Sequence, residues 1–172
     1  LGIAMLLVVV VIYLFLGNVS ATLIPAVTVP VSLIAAFIVM LALGFSINLL
    51  TLLAMVLAIG LVVDDAIVVL ENIHRRIEMG EPAILAAYRG TREVGFAVVA
   101  TTLVLISVFV PLVFLEGNVG RLFTEFALAI AAAVAFSSVT ALTLSPMLGS
   151  ILLKKSERSG FGNWLDNSFK KL

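Results

Sequence analysis

The chain of 172 residues has 63% hydrophobic and 12% charged side chains, a formal net charge of +0 and a mean hydropathy of +1.29. These values differ strongly from those of soluble domains and indicate an integral membrane protein. The balanced charge provides no basic surface for nucleic acid, and the absence of cysteine excludes disulfides and thiolate chemistry. Because the chain begins with Leu1 inside an apolar run rather than with Met, we expect a fragment of a longer polypeptide.

Apolar segments follow one another along the chain and predict an all-α, polytopic transmembrane helix bundle. The five segments cover about residues 1–16, 23–44, 47–73, 94–115 and 122–153. A membrane crossing needs about 20 apolar residues, so the first segment is short for a span. No alternating pattern of about ten residues suggests a barrel. We therefore predict a transmembrane half-domain of five spans over residues 1–155.

The distribution of basic residues predicts how the bundle is oriented. Nine of the ten Lys and Arg residues fall on the face that holds the connection between the third and fourth segments and the C-terminal tail. These are Arg75, Arg76, Arg89, Arg92, Lys154, Lys155, Arg158, Lys170 and Lys171. Only Arg121 falls on the opposite face. The positive-inside rule makes the basic face cytoplasmic, which places Asp64 and Asp65 near mid-depth in a third segment that runs inward.

Two shorter pieces are predicted at the cytoplasmic interface. Between the third and fourth spans, Pro82 suits a first helical position and Gly90 suits a stop, which predicts a short helix. In the tail, apolar side chains recur at helical spacing beside two lysines, which predicts an interfacial amphipathic helix over residues 156–172. Its apolar side is formed by Phe161, Trp164, Leu165, Phe169 and Leu172, with Lys170 and Lys171 next to them.

The stretch "AIGLVVDDAIVVLEN" places Asp64 and Asp65 side by side inside the third apolar segment. A charged Asp at the centre of a membrane helix costs about 2.5–3.5 kcal/mol on insertion scales, and no Lys, Arg or His lies one turn away. The polar groups that we expect at depth on the other spans are hydroxyls, namely Thr101, Thr102, Ser107, Ser137, Ser138, Thr140 and Thr143. We therefore expect the cationic partner of these acids to lie outside this chain.

The chemistry of adjacent acids favours proton transfer over a purely structural role. Neighbouring helical positions point about 100° apart, so Asp64 and Asp65 cannot face each other, although they can line one polar channel. Low dielectric and mutual repulsion both favour the protonated form, which suits groups that carry protons. The alternative is that protonated acids only join helices by hydrogen bonds. Asn or Ser would do this at a lower desolvation cost.

Four further residues are secondary candidates around the acids. Glu71 lies near the cytoplasmic end of the third segment, where we expect an ion pair with Arg75 one turn later. Gly60 precedes the acids by one turn and is expected to permit close approach of another helix. Thr101 and Thr102 supply hydroxyls on the fourth segment. We predict no cofactor and no metal site.

These residues lie in stretches that resemble a known family. The runs "FSINLLTLLAMVLAIGLVVDDAIVVLENIHRRIEMG" and "FVPLVFLEGNVGRLFTEFALAIAAAVAFSSVTALTLSPMLGSILLKK" closely resemble the resistance-nodulation-division (RND) transporters. Within these, the chain looks most like the hydrophobe/amphiphile multidrug efflux pumps, the AcrB-like branch, which carry paired aspartates on their fourth transmembrane helix. The heavy-metal branch usually has a single Asp followed by Ala at this point. The second acid, Asp65, therefore favours organic substrates.

The resemblance implies a secondary active transporter rather than an enzyme. The five spans would correspond to family helices two to six, in a pump of the bacterial inner membrane that exchanges drugs for protons. Asp64 and Asp65 would form the proton relay and pair with a lysine and an arginine from the second half of the same transporter chain. Family members also imply a homotrimer that works with a periplasmic adaptor and an outer-membrane channel.

The sequence leaves three alternatives open. An RND-fold component that exports heavy metals, lipids or proteins would carry similar acids and couple to protons. A purely structural membrane module would tolerate exchange of the acids for leucine. An intramembrane aspartyl protease needs two aspartates on separate, facing helices, and no second apolar segment of this chain carries an Asp.

Overall fold

The structure, a computed structural model, describes residues 2–153. The interfacial helix predicted over residues 156–172 lies outside this range. The helices are α1 (Gly2–Leu16), α2 (Val19–Ala42), α3 (Leu49–Glu78), α4 (Ala83–Phe109) and α5 (Gly117–Leu152), with a 3₁₀ segment at Val110–Phe114. Since residues 2–153 contain no strand, the predicted all-α bundle is confirmed.

The four longer helical stretches can each cross a membrane. They contain 24 residues in α2, 30 in α3, 32 in α4 together with the 3₁₀ segment, and 36 in α5. A crossing takes about 20 residues at 1.5 Å of rise per residue. With 15 residues, α1 is shorter than a full span, as the sequence predicts.

Polar caps and a glycine turn set the two ends of α3. The side chain of Asn48 accepts a hydrogen bond from the Thr51 amide at 2.9 Å, and the Thr51 hydroxyl accepts one from the Asn48 amide at 2.8 Å. This capping box satisfies backbone donors that the first turn leaves free. At the other end, Gly80 has φ +95°, and the Glu81 amide bonds the Arg76 carbonyl at 3.1 Å. The glycine therefore turns the chain toward α4.

The predicted short helix between the third and fourth spans is wrong at its C-terminal end. Pro82 is the N-cap of α4, one residue before the predicted first helical position, and the helix continues through Gly90 to Phe109. Gly90 is buried against α3, where an added Cβ would lie 3.2 Å from the Ile73 Cα. The glycine thus permits close packing of two helices and does not stop one.

The core of the bundle forms around α5, which packs against α2, α3 and α4. One buried cluster lies between these helices and includes Met55, Ile59, Val62, Ile130 and Val134. A second cluster near the α3–α4 turn joins the C-terminal half of α3 to the beginning of α4 and the end of α5. In contrast, only 11% of the apolar window of α4 is buried, so this helix lies at the periphery.

Candidate functional site

The two adjacent acids of α3 lie in different environments. Asp65 is buried between helices with 7% of its surface exposed, whereas Asp64 lies on the exposed side of α3. Within residues 2–153, Asp64 has no recorded hydrogen bond or ion pair. The rotation of about 100° per residue in a helix accounts for this difference. One acid therefore faces the core of this chain, and the other faces outward.

The buried acid is held by a hydroxyl from another helix. Ser137 of α5 donates a hydrogen bond to Asp65 Oδ2 at 3.2 Å and also contacts the carbonyl of Val62 at 3.0 Å. In the described part of the chain, no Lys, Arg or His forms an ion pair with Asp65. The side-chain group that bonds Asp65 among the described residues is therefore a neutral hydroxyl. A carboxylate that ionises here has no cation to compensate for the lost hydration.

Further hydroxyls extend this contact from α5 to α2. The Thr140 hydroxyl lies 2.9 Å from the Ser137 carbonyl and 2.8 Å from the hydroxyl of Ser32. Ser32 donates in turn to the Thr28 carbonyl at 3.0 Å. Together with Asp65, these side chains form a polar row across α3, α5 and α2. Ser32 and Thr28 are missing from the hydroxyls predicted at depth. Thr28 and Ser32 are four residues apart and so lie on one helix face, and this spacing could have predicted them from the sequence.

One expectation about α3 is wrong, and another finds no partner helix within residues 2–153. No described atom lies within 4 Å of a Cβ added at Gly60, so this glycine faces outward and brings no described helix close. Glu71 and Arg75 form no recorded ion pair within residues 2–153, and the Arg75 guanidinium instead donates to Asn72 Oδ1 at 2.8 Å. The Asn72 amide nitrogen is already bound to groups of α4, which leaves its oxygen free to accept from Arg75.

The two threonines of α4 make bonds within their own helix. Both Thr101 and Thr102 donate to the carbonyl of Val98, at 2.9 Å and 2.8 Å respectively. Thr102 is buried, whereas Thr101 is exposed. Neither hydroxyl has a recorded contact with Asp65 among the described residues. The structure therefore does not join these threonines to the acids of α3.

A second buried acid, which the sequence did not single out, lies at the opposite end of the bundle from the α3–α4 turn. Glu125 of α5 is 7% exposed, and its Oε2 accepts from Asn48 Nδ2 at 3.0 Å and from the Ser46 hydroxyl at 3.3 Å. These bonds tie the loop between α2 and α3 to α5. Glu125 precedes Ser137 by about 18 Å along the helix axis. The fully buried side chains of Ile130 and Val134 lie between them, so the two polar sites are separate.

An ionic cluster joins α3 and α4 at their connecting turn. Arg76 pairs with Glu93 and, at 2.7 Å, with Glu81. The Asn72 amide donates to the Gly90 carbonyl at 2.8 Å and to Glu93 Oε2 at 3.0 Å. Since Asn72 is two turns beyond Asp65 on the buried side of α3, these contacts help to fix how that helix is rotated.

These features define the membrane-spanning part of a protein with an ionisable side chain inside its helix bundle. Buried intramembrane acids are costly and commonly mark ion or proton pathways. Among residues 2–153, no group of three or more His, Cys, Asp or Glu side chains is placed to hold a metal ion. A family model described as the AcrB/AcrD/AcrF family matches residues 1–172. The chain belongs to this family and forms membrane-spanning helices of an RND transporter, which confirms the resemblance seen in the sequence.

Proposed function

We propose that this chain is part of the transmembrane proton-translocation domain of a proton-driven RND multidrug efflux transporter. In this proposal Asp64 and Asp65 load and release the protons that drive drug/proton antiport. The observation that carries the proposal is the position of Asp65, which is buried between membrane helices with only the Ser137 hydroxyl as its recorded side-chain partner in residues 2–153. A neutral Asp65 is tolerated in that place, whereas an ionised one needs a cation.

The mechanism uses this difference between the two protonation states. When Asp65 is neutral, it can remain between α3 and α5 beside Ser137, because a protonated carboxyl needs no cation there. When the acid ionises, a cationic side chain outside this chain stabilises its charge, and α3 is drawn toward that partner. Asp64 on the exposed side of the helix lies where such a partner can approach. Proton loading and release therefore bias the position of α3, which is the change that a coupled transporter needs.

The proposal includes the surroundings implied by the family. The cationic partner is a basic residue in the remaining half of the same transporter chain, and residues 1–155 form the corresponding membrane half-domain. The transporter lies in the lipid bilayer of a bacterial inner membrane, with the basic face of the bundle and the tail in the cytoplasm. It acts as a homotrimer with a periplasmic adaptor and an outer-membrane channel. We propose Glu71, Gly60, Thr101 and Thr102 as secondary residues of the relay region, although none of them bonds the carboxyl group of Asp64 or Asp65 within residues 2–153.

The experiment replaces each acid by its amide in the complete transporter that carries this chain. Asp64→Asn and Asp65→Asn keep the shape of the side chain but cannot ionise, so either variant is expected to abolish proton-coupled export of a drug from proteoliposomes. Glu116→Gln is the matched control, because this acid caps α5 in an exposed loop without a side-chain cap bond. Its export is expected to equal that of the wild type.

Membrane insertion is measured for every variant by expression level and gel-filtration profile. Wild-type export from correctly inserted Asp64→Asn and Asp65→Asn variants refutes the relay. A wild type that exports metal ions, lipids or proteins but no drug, and loses that export in the same variants, keeps the relay and assigns the transporter to the alternative RND export class.

A further inference from the structure

A surface pocket lies where the first turns of α4 meet the end of α3. Its lining consists of Arg76, Tyr88, Arg89, Arg92 and Glu93. None of these residues takes part in the proposed proton relay, and the pocket is separate from the polar row around the buried acid. Three basic side chains and an aromatic ring around one pocket are the groups that bind phosphate esters.

The ion pairs of this pocket do not neutralise all of its positive charge. Arg76 is neutralised by Glu93 and by Glu81, whose Oε1 lies 2.7 Å from its guanidinium. Within the described part of the chain, Arg89 is paired only with the same Glu81 oxygen, at 3.3 Å. Arg92 has no recorded hydrogen bond or ion pair with any residue between 2 and 153. Three arginines therefore face two glutamates, and Arg89 and Arg92 are the guanidinium groups available to an anion.

The position of the pocket along α4 corresponds to the membrane interface. Residues 94–115 contain no charged side chain, so Arg92 is the last basic residue before the apolar span begins. Tyr88 is 64% exposed one turn earlier, and tyrosines are enriched where the hydrocarbon meets the headgroups. The arginine side chains therefore lie at the depth of lipid phosphates, with an aromatic ring beside them.

An apolar stripe continues from the pocket along the outer surface of α4. Phe96, Val99 and Leu103 are 86%, 43% and 59% exposed, respectively. They follow Arg92 at intervals of three and four residues, so all of them lie on one side of the helix. The charged pocket matches the headgroup of a phospholipid, and the exposed apolar stripe next to it matches an acyl chain.

We propose that this pocket binds an anionic phospholipid, with its phosphate between Arg89 and Arg92 and an acyl chain along Phe96, Val99 and Leu103. Guanidinium groups bind phosphate oxygens through paired, charge-assisted hydrogen bonds. The excess of positive charge disfavours zwitterionic lipids, because their own cation is repelled. The apolar stripe distinguishes a lipid from free phosphate, which has nothing to place there. This inference does not depend on the proton relay.

Native mass spectrometry of the complete transporter in detergent tests the proposal. Phosphatidylglycerol and phosphatidylcholine with identical acyl chains are titrated separately, and the wild type is expected to bind phosphatidylglycerol more tightly. In Arg89→Gln/Arg92→Gln, the affinity for phosphatidylglycerol is expected to fall about 25-fold, since each basic residue near a lipid headgroup contributes roughly a factor of five. Arg89→Lys/Arg92→Lys keeps the charge and is expected to retain the preference for phosphatidylglycerol.

Two further measurements distinguish this pocket from a general effect of surface charge and from a site for free phosphate. Arg121→Gln removes an exposed arginine from the other end of the bundle and is expected to leave the affinity unchanged. Inorganic phosphate is expected not to displace bound phosphatidylglycerol, and displacement at equal concentration overturns the lipid assignment. Equal wild-type binding of both lipids overturns the proposal without any variant. Unchanged affinity in a folded Arg89→Gln/Arg92→Gln protein also overturns it.

Discussion

The contact between Gly90 and Ile73 provides a quantitative test of how α3 and α4 are packed. Replacing Gly90 by Ala adds a Cβ that would lie 3.1 Å from Ile73 Cγ1 and 3.2 Å from both the Cα and the backbone nitrogen of that residue. A rotamer change can relieve the first contact but not the other two. The helices must therefore move apart, which also stretches the 2.8 Å bond from the Asn72 amide to the Gly90 carbonyl.

The size of the effect follows from two opposing terms. Forcing extra volume into a packed site costs about 1–3 kcal/mol. Replacing glycine by alanine inside a helix returns about 0.8–1.0 kcal/mol through helix propensity. We therefore expect Gly90→Ala to lower the free energy of unfolding by as much as about 2 kcal/mol. Gly95→Ala is the matched control in the same helix, because its Cβ would have one ordinary contact, 3.8 Å from Leu142 Cδ2.

The assay is a denaturant titration of both variants and the wild type in the same detergent. Since the propensity term is common to both substitutions, the difference between Gly90→Ala and Gly95→Ala isolates the steric term, expected at about 1–3 kcal/mol. Gly95→Ala alone is expected to be neutral or slightly stabilising. If the two variants are equally stable, the close approach of α3 and α4 at this glycine is refuted.

Two more predictions concern the polar sites. Ser137→Ala removes the recorded side-chain donor to Asp65 and is expected to lower the free energy of unfolding by about 0.5–1.5 kcal/mol. Ser138→Ala loses no recorded bond and is expected to change this free energy less. Equal effects of the two substitutions contradict the assigned contact. Glu125→Ala leaves the Asn48 amide without this acceptor and is expected to lower the free energy of unfolding by about 1–3 kcal/mol. Glu125→Gln keeps an acceptor oxygen and is expected to lower it less in the same titration. Equal losses of stability contradict the hydrogen-bonded role of Glu125.

Much of the fold could be predicted from local patterns in the sequence. Long uncharged runs predict spans because each residue in hydrocarbon contributes its own transfer free energy, independently of which helix it contacts. The same reasoning singles out Asp64 and Asp65, since two acids inside such a run are costly wherever the neighbouring helices lie. The helix boundaries were less accurate. In the sequence Gly90 predicts the end of a helix, but in the bundle it is the position where Ile73 packs against α4.

The sequence by itself therefore determined the class of protein, the number of apolar segments and the position of two acids inside the third of them. Only the tertiary structure decided that Asp65 faces the core and Asp64 faces outward, that Ser137 supplies the hydrogen bond, and that Ser32 continues the polar row. The reason is that hydropathy is a property of each residue, whereas contacts between helices depend on their rotation and relative depth. Those are set by the packing of small and branched side chains distant in sequence.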